Sequence, residues 1–139
     1  MLTLATLENL HTISIDFVLA YPQANLNVDI YMELTQVFNV GPKSGRYVLK
    51  LQKNLYGLKQ AGHNWFEKFS VALGNLSINP RKVDPCVFIR EDVIFLVYVD
   101  DCLIFSREKD KINQLIDQLK NKEKLDLIDE GDFDKYLGV

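Results

Sequence analysis

Cysteine, histidine and long apolar runs are scarce in this chain of 139 residues. Its two cysteines, Cys86 and Cys102, form no C-x-x-C motif, and their apolar, strand-like surroundings predict buried free thiols in a reducing compartment. The two distant histidines, His11 and His63, lack a zinc-binding spacing. The longest apolar run, at 93–99, is far shorter than the roughly 20 residues of a membrane-spanning helix. The sequence therefore predicts neither a disulfide scaffold, a zinc site nor a membrane span.

Composition and charge are those of an ordinary globular domain. The chain is 47% hydrophobic and 25% charged, and its length fits one domain. Its first eight residues lack the basic residues of a secretory signal and include Glu8. The net charge is −3, but residues 43–68 contain six basic residues and one acidic residue, and residues 108–135 contain nine acidic and six basic ones. The basic segment is suited to contact phosphates; the alternative is a solvated surface.

Hydrophobic periodicity predicts a chain of mixed α and β structure. Strands are predicted at 13–18, 28–33, 47–51, 86–90, 93–99 and 102–106, helices at 2–10, 58–76 and 109–122, a turn at 39–45 and a strand-like segment at 136–139. This order predicts an α+β fold with helices on one face of an antiparallel sheet, as in the split βαβ arrangement of ferredoxin-like folds. Trp65 is expected to pack the 58–76 helix onto that sheet.

Two adjacent aspartates, Asp100 and Asp101, separate the apolar runs at 94–99 and 102–105. This pattern predicts a hairpin with both carboxylates at its tip. Two like charges on apolar strands repel each other and are costly to desolvate, and a divalent cation would relieve both problems. Enzymes of two-metal phosphoryl transfer use carboxylates in this way. The alternative is simple turn chemistry, in which aspartate is common for conformational reasons.

Four collinear blocks give the chain a resemblance to a known family. They are I-D-F-V-L-A-Y at 15–21, I-Y-M-E at 30–33, L-Q-K-N-L-Y-G-L-K-Q-A at 51–61 with Trp65 after it, and Y-V-D-D at 98–101, flanked by D-P-C at 84–86 and Y-L-G-V at 136–139. Together they resemble the reverse transcriptase domain of copia-type LTR retrotransposons. The loop after Tyr21 and the segment after Glu33 depart from the family pattern, and Gly62 stands where proline is common.

The resemblance implies a polymerase palm, meaning a ferredoxin-like antiparallel sheet with helices on one face, plus part of the fingers. Residues 1–139 would be a single fragment without thumb and RNase H regions. The implied activity is that of an RNA-directed DNA polymerase within a retrotransposon Pol polyprotein. The implied partners are an RNA or DNA template with its primer, dNTPs and the rest of the polyprotein, with no membrane. The implied location is intracellular, in virus-like particles and the nucleus.

The resemblance also implies a catalytic site. Asp16, Asp100 and Asp101 would be catalytic and would bind two Mg²⁺ ions, for which Mn²⁺ can substitute, with the carbonyl of Phe17 as a further ligand. Asp16 and Asp100 would bridge the metals, and Asp101 would have a lesser role. Because Asp16 lies 84 positions before Asp100, the site requires strand 12–18 to neighbour the hairpin. Taken alone, Asp16 would be a solvent-facing strand residue.

Five further residues receive roles from the resemblance. Tyr21 would exclude a ribose 2′-OH and so favour dNTPs, although core packing is the alternative. Gln60 would lie against the incoming nucleotide, or be an exposed residue of the first helical turn. Tyr98, Lys53 and Lys59 would contact nucleic acid, and the alternative for the lysines is an ordinary surface position.

Two other functions remain open at this point. One is another nucleotidyl transferase on a palm fold, such as a cyclase, which would not depend on a template. The other is a decayed or domesticated, catalytically inactive fragment that at most binds nucleic acid or a partner. A polymerase needs a basic groove for template and primer, so the isolated 139 residues are expected to polymerise poorly.

Overall fold

The computed structural model describes residues 8–34 and 47–132, which form an α+β fold. The strands are β1 His11–Phe17, β2 Tyr31–Glu33, β3 Val48–Lys50, β4 Asn79–Pro80, β5 Val87–Arg90, β6 Val93–Tyr98, β7 Asp101–Ser106 and β8 Leu127–Asp132. The helices are α1 Ala20–Gln23, α2 Ala61–Asn75 and α3 Lys109–Asn121.

Six strands form one sheet in the order β4-β5-β6-β7-β1-β8, and every neighbouring pair is antiparallel. The strands β2 and β3, which lie within the segments predicted as strands at 28–33 and 47–51, pair to form a separate two-stranded sheet. Along the chain, β1, α2, the β6–β7 hairpin, α3 and β8 follow one another in a split βαβ order. The predicted antiparallel α+β class is therefore confirmed.

Both long helices pack on the same face of the large sheet. Alternate residues of β1, namely Ile13, Ile15 and Phe17, lie in one buried cluster with apolar side chains of α2 and α3. A smaller cluster around Leu103 and Phe105 lies apart from these helices. Side chains alternate between the two faces of a strand, so the intervening residues of β1 point away from the helices.

The structure corrects several element boundaries. The predicted helix at 58–76 begins only at Ala61, because a turn precedes it in which Gly57 has a positive φ of 96°. The short helix α1 was not predicted, and it contains Pro22, which the first turn of a helix tolerates. The strand β8 was not predicted, since its sequence L-I-D-E-G-D is largely polar. Residues 8–10 are not helical, and the predictions at 2–7, 39–45 and 136–139 lie outside the described residues.

The cysteine prediction holds for one residue and is wrong for the other. Both thiols are free, and Cys102 is buried, but Cys86 is exposed because it lies in the turn before β5. Burial raises the pKa of the Cys102 thiol well above its ordinary value, so it packs as an apolar residue. No helix in the described ranges is both long enough and apolar enough to span a membrane.

Phe69 on α2 provides a test of the core. Its ring is fully buried and contacts the rings of Phe17, Phe88 and Phe95 with centroid distances of 5.3–5.7 Å. We expect Phe69→Ala to reduce the free energy of unfolding by about 3–5 kcal/mol in urea titrations, because it leaves a cavity between helix and sheet. Val71→Ala, on the exposed side of the same helix, should change it by less than about 0.5 kcal/mol. Equal effects of the two substitutions would contradict this packing.

Candidate active site

Asp16 and Asp101 lie opposite each other at the end of the β1–β7 ladder. They are Cα partners in the antiparallel register, in which Ile15 pairs with Cys102 one position earlier. Side chains of directly opposed residues point to the same face of a sheet. Since Ile15 and Cys102 belong to the cluster beneath the helices, both aspartates lie on the other face. The predicted neighbour relation between β1 and the hairpin is therefore confirmed.

Asp100 occupies the turn of the hairpin, and Asp101 is already the first residue of β7. Tyr98 pairs with Asp101, so the turn consists of Val99 and Asp100 and is shifted by one residue from the prediction. The reason is the backbone at Val99, whose φ is 61°, a conformation that β-branched residues rarely adopt. The backbone N–H of Phe17 donates to the carbonyl of Asp100 at 3.1 Å, which ties the turn to the end of β1.

Trp65 holds the other side of this turn. Its indole Nε1–H donates to the carbonyl of Val99 at 2.9 Å, and its ring meets that of Phe17 edge to face at 5.1 Å. Trp65 is 2% exposed, so the predicted packing of α2 onto the sheet is confirmed. The hydrogen bond to Val99 was not predicted from the sequence, although a buried indole usually finds an acceptor for its N–H.

The carboxylates of this site repel each other. Burial raises the pKa of Asp16 above its ordinary value, and the charges of Asp100, Glu130 and Asp101 raise it further. Burial likewise raises the pKa of Asp101, with added repulsion from Asp100 and Glu130. Among the ion pairs of the described residues, none includes Asp16, Asp100 or Asp101. The negative charge at this point is therefore not balanced by a nearby basic side chain in that part of the chain.

Glu130 is a further carboxylate that the sequence did not indicate. The β1–β8 register shifts between Ser14 and Ile15, which pair with Gly131 and Asp129, so Glu130 is the extra residue of a bulge. Gly131 has a φ of 86°, which glycine adopts without strain. The hydroxyl of Ser14 donates to Glu130 Oε2 at 2.7 Å. No signal for this residue was available because β8 itself was not predicted.

The carboxylates at this site are chemically suited to bind a hard divalent cation. Their side chains are not, however, arranged around a common point where an ion would sit. Carboxylate oxygens are the preferred ligands of Mg²⁺, and the repulsion at Asp16 and Asp101 would be relieved by a cation. Within 8–34 and 47–132, however, no three His, Cys, Asp or Glu side chains are arranged to hold a metal ion. The ligand roles of Asp16, Phe17, Asp100 and Asp101 stay predictions.

The two residues assigned to the nucleotide lie near α2. Tyr21, in α1, packs against the main core, and its ring stacks on that of Tyr56 at 4.5 Å between centroids. Gln60 is the N-cap residue of α2 rather than part of its first turn, and its side chain makes no capping hydrogen bond. The nucleotide roles of Tyr21 and Gln60 stay predictions.

The residues assigned to nucleic acid lie on the surface. Tyr98 is 59% exposed and, as the Cα partner of Asp101, projects from the same face of the sheet. The ammonium of Lys53 donates to Asn25 Oδ1 at 2.6 Å, and Lys59 is exposed in the turn before α2. Tyr98 is therefore next to the carboxylates, while the structure gives no contact between the two lysines and that site.

Comparisons with known proteins show which sequences this chain resembles. The family model described as "Reverse transcriptase (RNA-dependent DNA polymerase)" matches residues 1–139. The chain is 34% identical over its full length to part of a retrovirus-related Pol polyprotein from transposon TNT 1-94 of Nicotiana tabacum, and 30% identical over 98% of its length to part of the transposon Ty1-BL Gag-Pol polyprotein of Saccharomyces cerevisiae. It spans 11% and 8% of these two relatives.

Because the carboxylates at the site repel one another, we expect that removing one of their charges stabilises the folded state. Because the pKa of Asp101 is raised in the folded state, its charged form destabilises the fold at pH 7, and this penalty disappears as the pH falls through the folded-state pKa. We expect Asp101→Asn to raise Tm by about 1–3 °C at pH 7 without divalent ions, with a smaller gain toward pH 4. Asp117→Asn, on the exposed side of α3, is the control and should leave Tm unchanged. A lower Tm of Asp101→Asn at pH 7 would contradict the repulsion.

The Trp65 hydrogen bond has a measurable energy. Trp65→Phe keeps an aromatic ring against Phe17 but leaves the Val99 carbonyl without its donor. We expect the free energy of unfolding to fall by about 1–2 kcal/mol in urea titrations. His63→Ala, on the exposed side of the same helix, should cost less than about 0.5 kcal/mol. A Trp65→Phe variant as stable as the wild type would show that this bond does not hold the turn.

Proposed function

Because this chain belongs to the reverse transcriptase (RNA-dependent DNA polymerase) family, as a domain of a copia-type retrotransposon Pol polyprotein, we propose that it forms the catalytic palm and part of the fingers of an RNA-directed DNA polymerase. The observation that carries the proposal is the pairing of Asp16 with Asp101 across β1 and β7, with Asp100 in the adjoining turn. Carboxylates from two segments that are 84 positions apart in the sequence thus come to one end of the sheet.

The proposed reaction joins a dNTP to the 3′-OH of a primer. Asp16 and Asp100, with Asp101 in a lesser role and the Phe17 carbonyl, would hold two Mg²⁺ ions, or Mn²⁺ in their place. When bound, the ions would supply charge neutralisation at the phosphates. The chain itself positions the carboxylates: Phe17 N–H and Trp65 Nε1–H fix the turn that carries Asp100. Such fixed positions matter because phosphoryl transfer depends mainly on positioning and electrostatics.

The remaining roles concern substrates. Tyr21 and Gln60 would contact the dNTP, and Tyr98, beside Asp101, would contact the primer or template. Lys53 and Lys59 would contact phosphates of the nucleic acid. Since the chain spans about a tenth of the curated relatives that it matches, the rest of the polymerase would come from other parts of the polyprotein. These parts would be the remaining fingers, the thumb and the RNase H region.

Primer extension tests this proposal. The polymerase region of the polyprotein that contains this chain would be supplied with an RNA template, a DNA primer, dNTPs and Mg²⁺ or Mn²⁺. We expect template-directed incorporation, and a loss of at least about 100-fold in Asp100→Asn, since a group that acts on transition-state charge is removed. Asp117→Asn, remote from the site on α3, should keep the wild-type rate.

Three other results of the primer-extension experiment would each lead to a different conclusion. Incorporation without a template would favour another nucleotidyl transferase. No incorporation by protein that circular dichroism shows to be folded would favour an inactive fragment that binds nucleic acid or a partner. Full activity in Asp100→Asn would show that this turn is not the catalytic site.

A further inference from the structure

Tyr56 connects the turn before α2 to α1 through a contact with Tyr21, and none of the roles above includes it. Its ring stacks on that of Tyr21 with centroids 4.5 Å apart and planes inclined by 31°. It belongs to the turn that leads into α2, whereas Tyr21 belongs to α1. Tyr56 is 50% exposed, so the stack lies at the surface rather than inside the main core.

The phenol of Tyr56 is influenced by Asp100 and by the backbone at the start of α1. Burial raises the pKa of this phenol, and the charge of Asp100 raises it further, whereas hydrogen bonding from the backbone at Ala20 and Tyr21 opposes the shift. The oxygen therefore lies against the first residues of α1 and close enough to Asp100 to feel its charge. Through its ring contact with Tyr21, Tyr56 thus links the turn before α2 to α1.

The far end of the Tyr21 side chain is confined by α2. A Cβ atom placed on Gly62 would lie 3.4 Å from the Tyr21 hydroxyl oxygen, which is ordinary van der Waals contact. The ring of Tyr21 therefore has Tyr56 against one face and the first turn of α2 at its hydroxyl end. A ring with neighbours on one face and at its hydroxyl end has fewer accessible rotamers, and a fixed ring can exclude a bulkier sugar by contact alone.

We propose that Tyr56 is a positioning residue: it holds the Tyr21 ring in place and thereby sets the discrimination between deoxyribonucleoside and ribonucleoside triphosphates. The inference rests on the proposed polymerase function and on the assignment of Tyr21 to the dNTP sugar. Tyr56 acts through its ring, which fills the space into which Tyr21 would otherwise turn. A purely structural role in the turn would affect stability and would leave sugar discrimination unchanged.

Two substitutions separate the ring from the hydroxyl. Tyr56→Phe keeps the stack and Tyr56→Ala removes it, and Tyr47→Ala, at an exposed tyrosine before β3, is the matched control. In single-nucleotide insertion on an RNA template by the polymerase region of the polyprotein that contains this chain, we expect Tyr56→Ala to lower the ratio of kcat/KM for dNTP over rNTP by about 10-fold or more, mainly through a lower KM for the rNTP. Tyr56→Phe and Tyr47→Ala should keep the wild-type ratio. An unchanged ratio in Tyr56→Ala, or equal losses for both nucleotides, would overturn the proposal.

A second measurement does not depend on polymerase activity. In the chain labelled with 3-fluorotyrosine, the ¹⁹F signal of Tyr21 is assigned by its absence in Tyr21→Phe. We expect Tyr56→Ala to shift this signal, because the neighbouring ring current is removed, and Tyr47→Ala to leave it in place. An unmoved signal would overturn the positioning role whatever the kinetics. A wild-type protein that shows the stack but incorporates no nucleotide would instead count against the proposed function and, with it, the sugar discrimination.

Discussion

The antiparallel pairing of β1 with β7 determines where the candidate catalytic groups lie. The same register that buries Ile13, Ile15 and Phe17 beneath the helices places Asp16 on the opposite face, beside Asp101. Because side chains alternate along a strand, a slip of one residue would bury Asp16 among apolar groups and expose its neighbours. The hydrophobic contacts of the core therefore also fix the position of the carboxylates, and core and site are parts of one arrangement.

The site works against the stability of the fold. Burial and mutual repulsion raise the pKa of Asp16 and Asp101, so each charge costs free energy at neutral pH. Two donors hold the turn against this repulsion, the Phe17 N–H at the Asp100 carbonyl and the Trp65 indole at the Val99 carbonyl. Natural proteins often combine a destabilised functional site with a well-packed support, and here the support is the aromatic contact between Phe17 and Trp65.

Periodicity and motifs predicted the parts of the structure that apolar residues define. The β6–β7 hairpin, α2, α3 and the approach of Asp16 to the hairpin all follow from regular spacing or from the family blocks. Periodicity could not indicate β8, because only two of its six residues are apolar. Since the strand was not predicted, its residue Glu130 was not identified as a neighbour of the aspartates either. The Trp65 hydrogen bond and the Tyr21–Tyr56 stack join distant segments, and local patterns carry no information on such contacts. The one-residue shift of the hairpin turn depends on the positive φ of Val99. The sequence does not indicate this conformation, because valine rarely adopts it.

The position of β1 in the sheet has a consequence for the order of folding. Its partners β7 and β8 lie at 101–106 and 127–132, so both ladders close loops of more than 80 residues. Closing long loops is entropically costly, and non-local pairings slow the search for the native state. The β6–β7 hairpin closes only a two-residue turn and can form early, with Asp100 and Asp101 solvated and far from Asp16. During synthesis, Asp16 therefore meets Asp100 and Asp101 only after the ribosome has passed β7 and the long loop between β1 and β7 has closed.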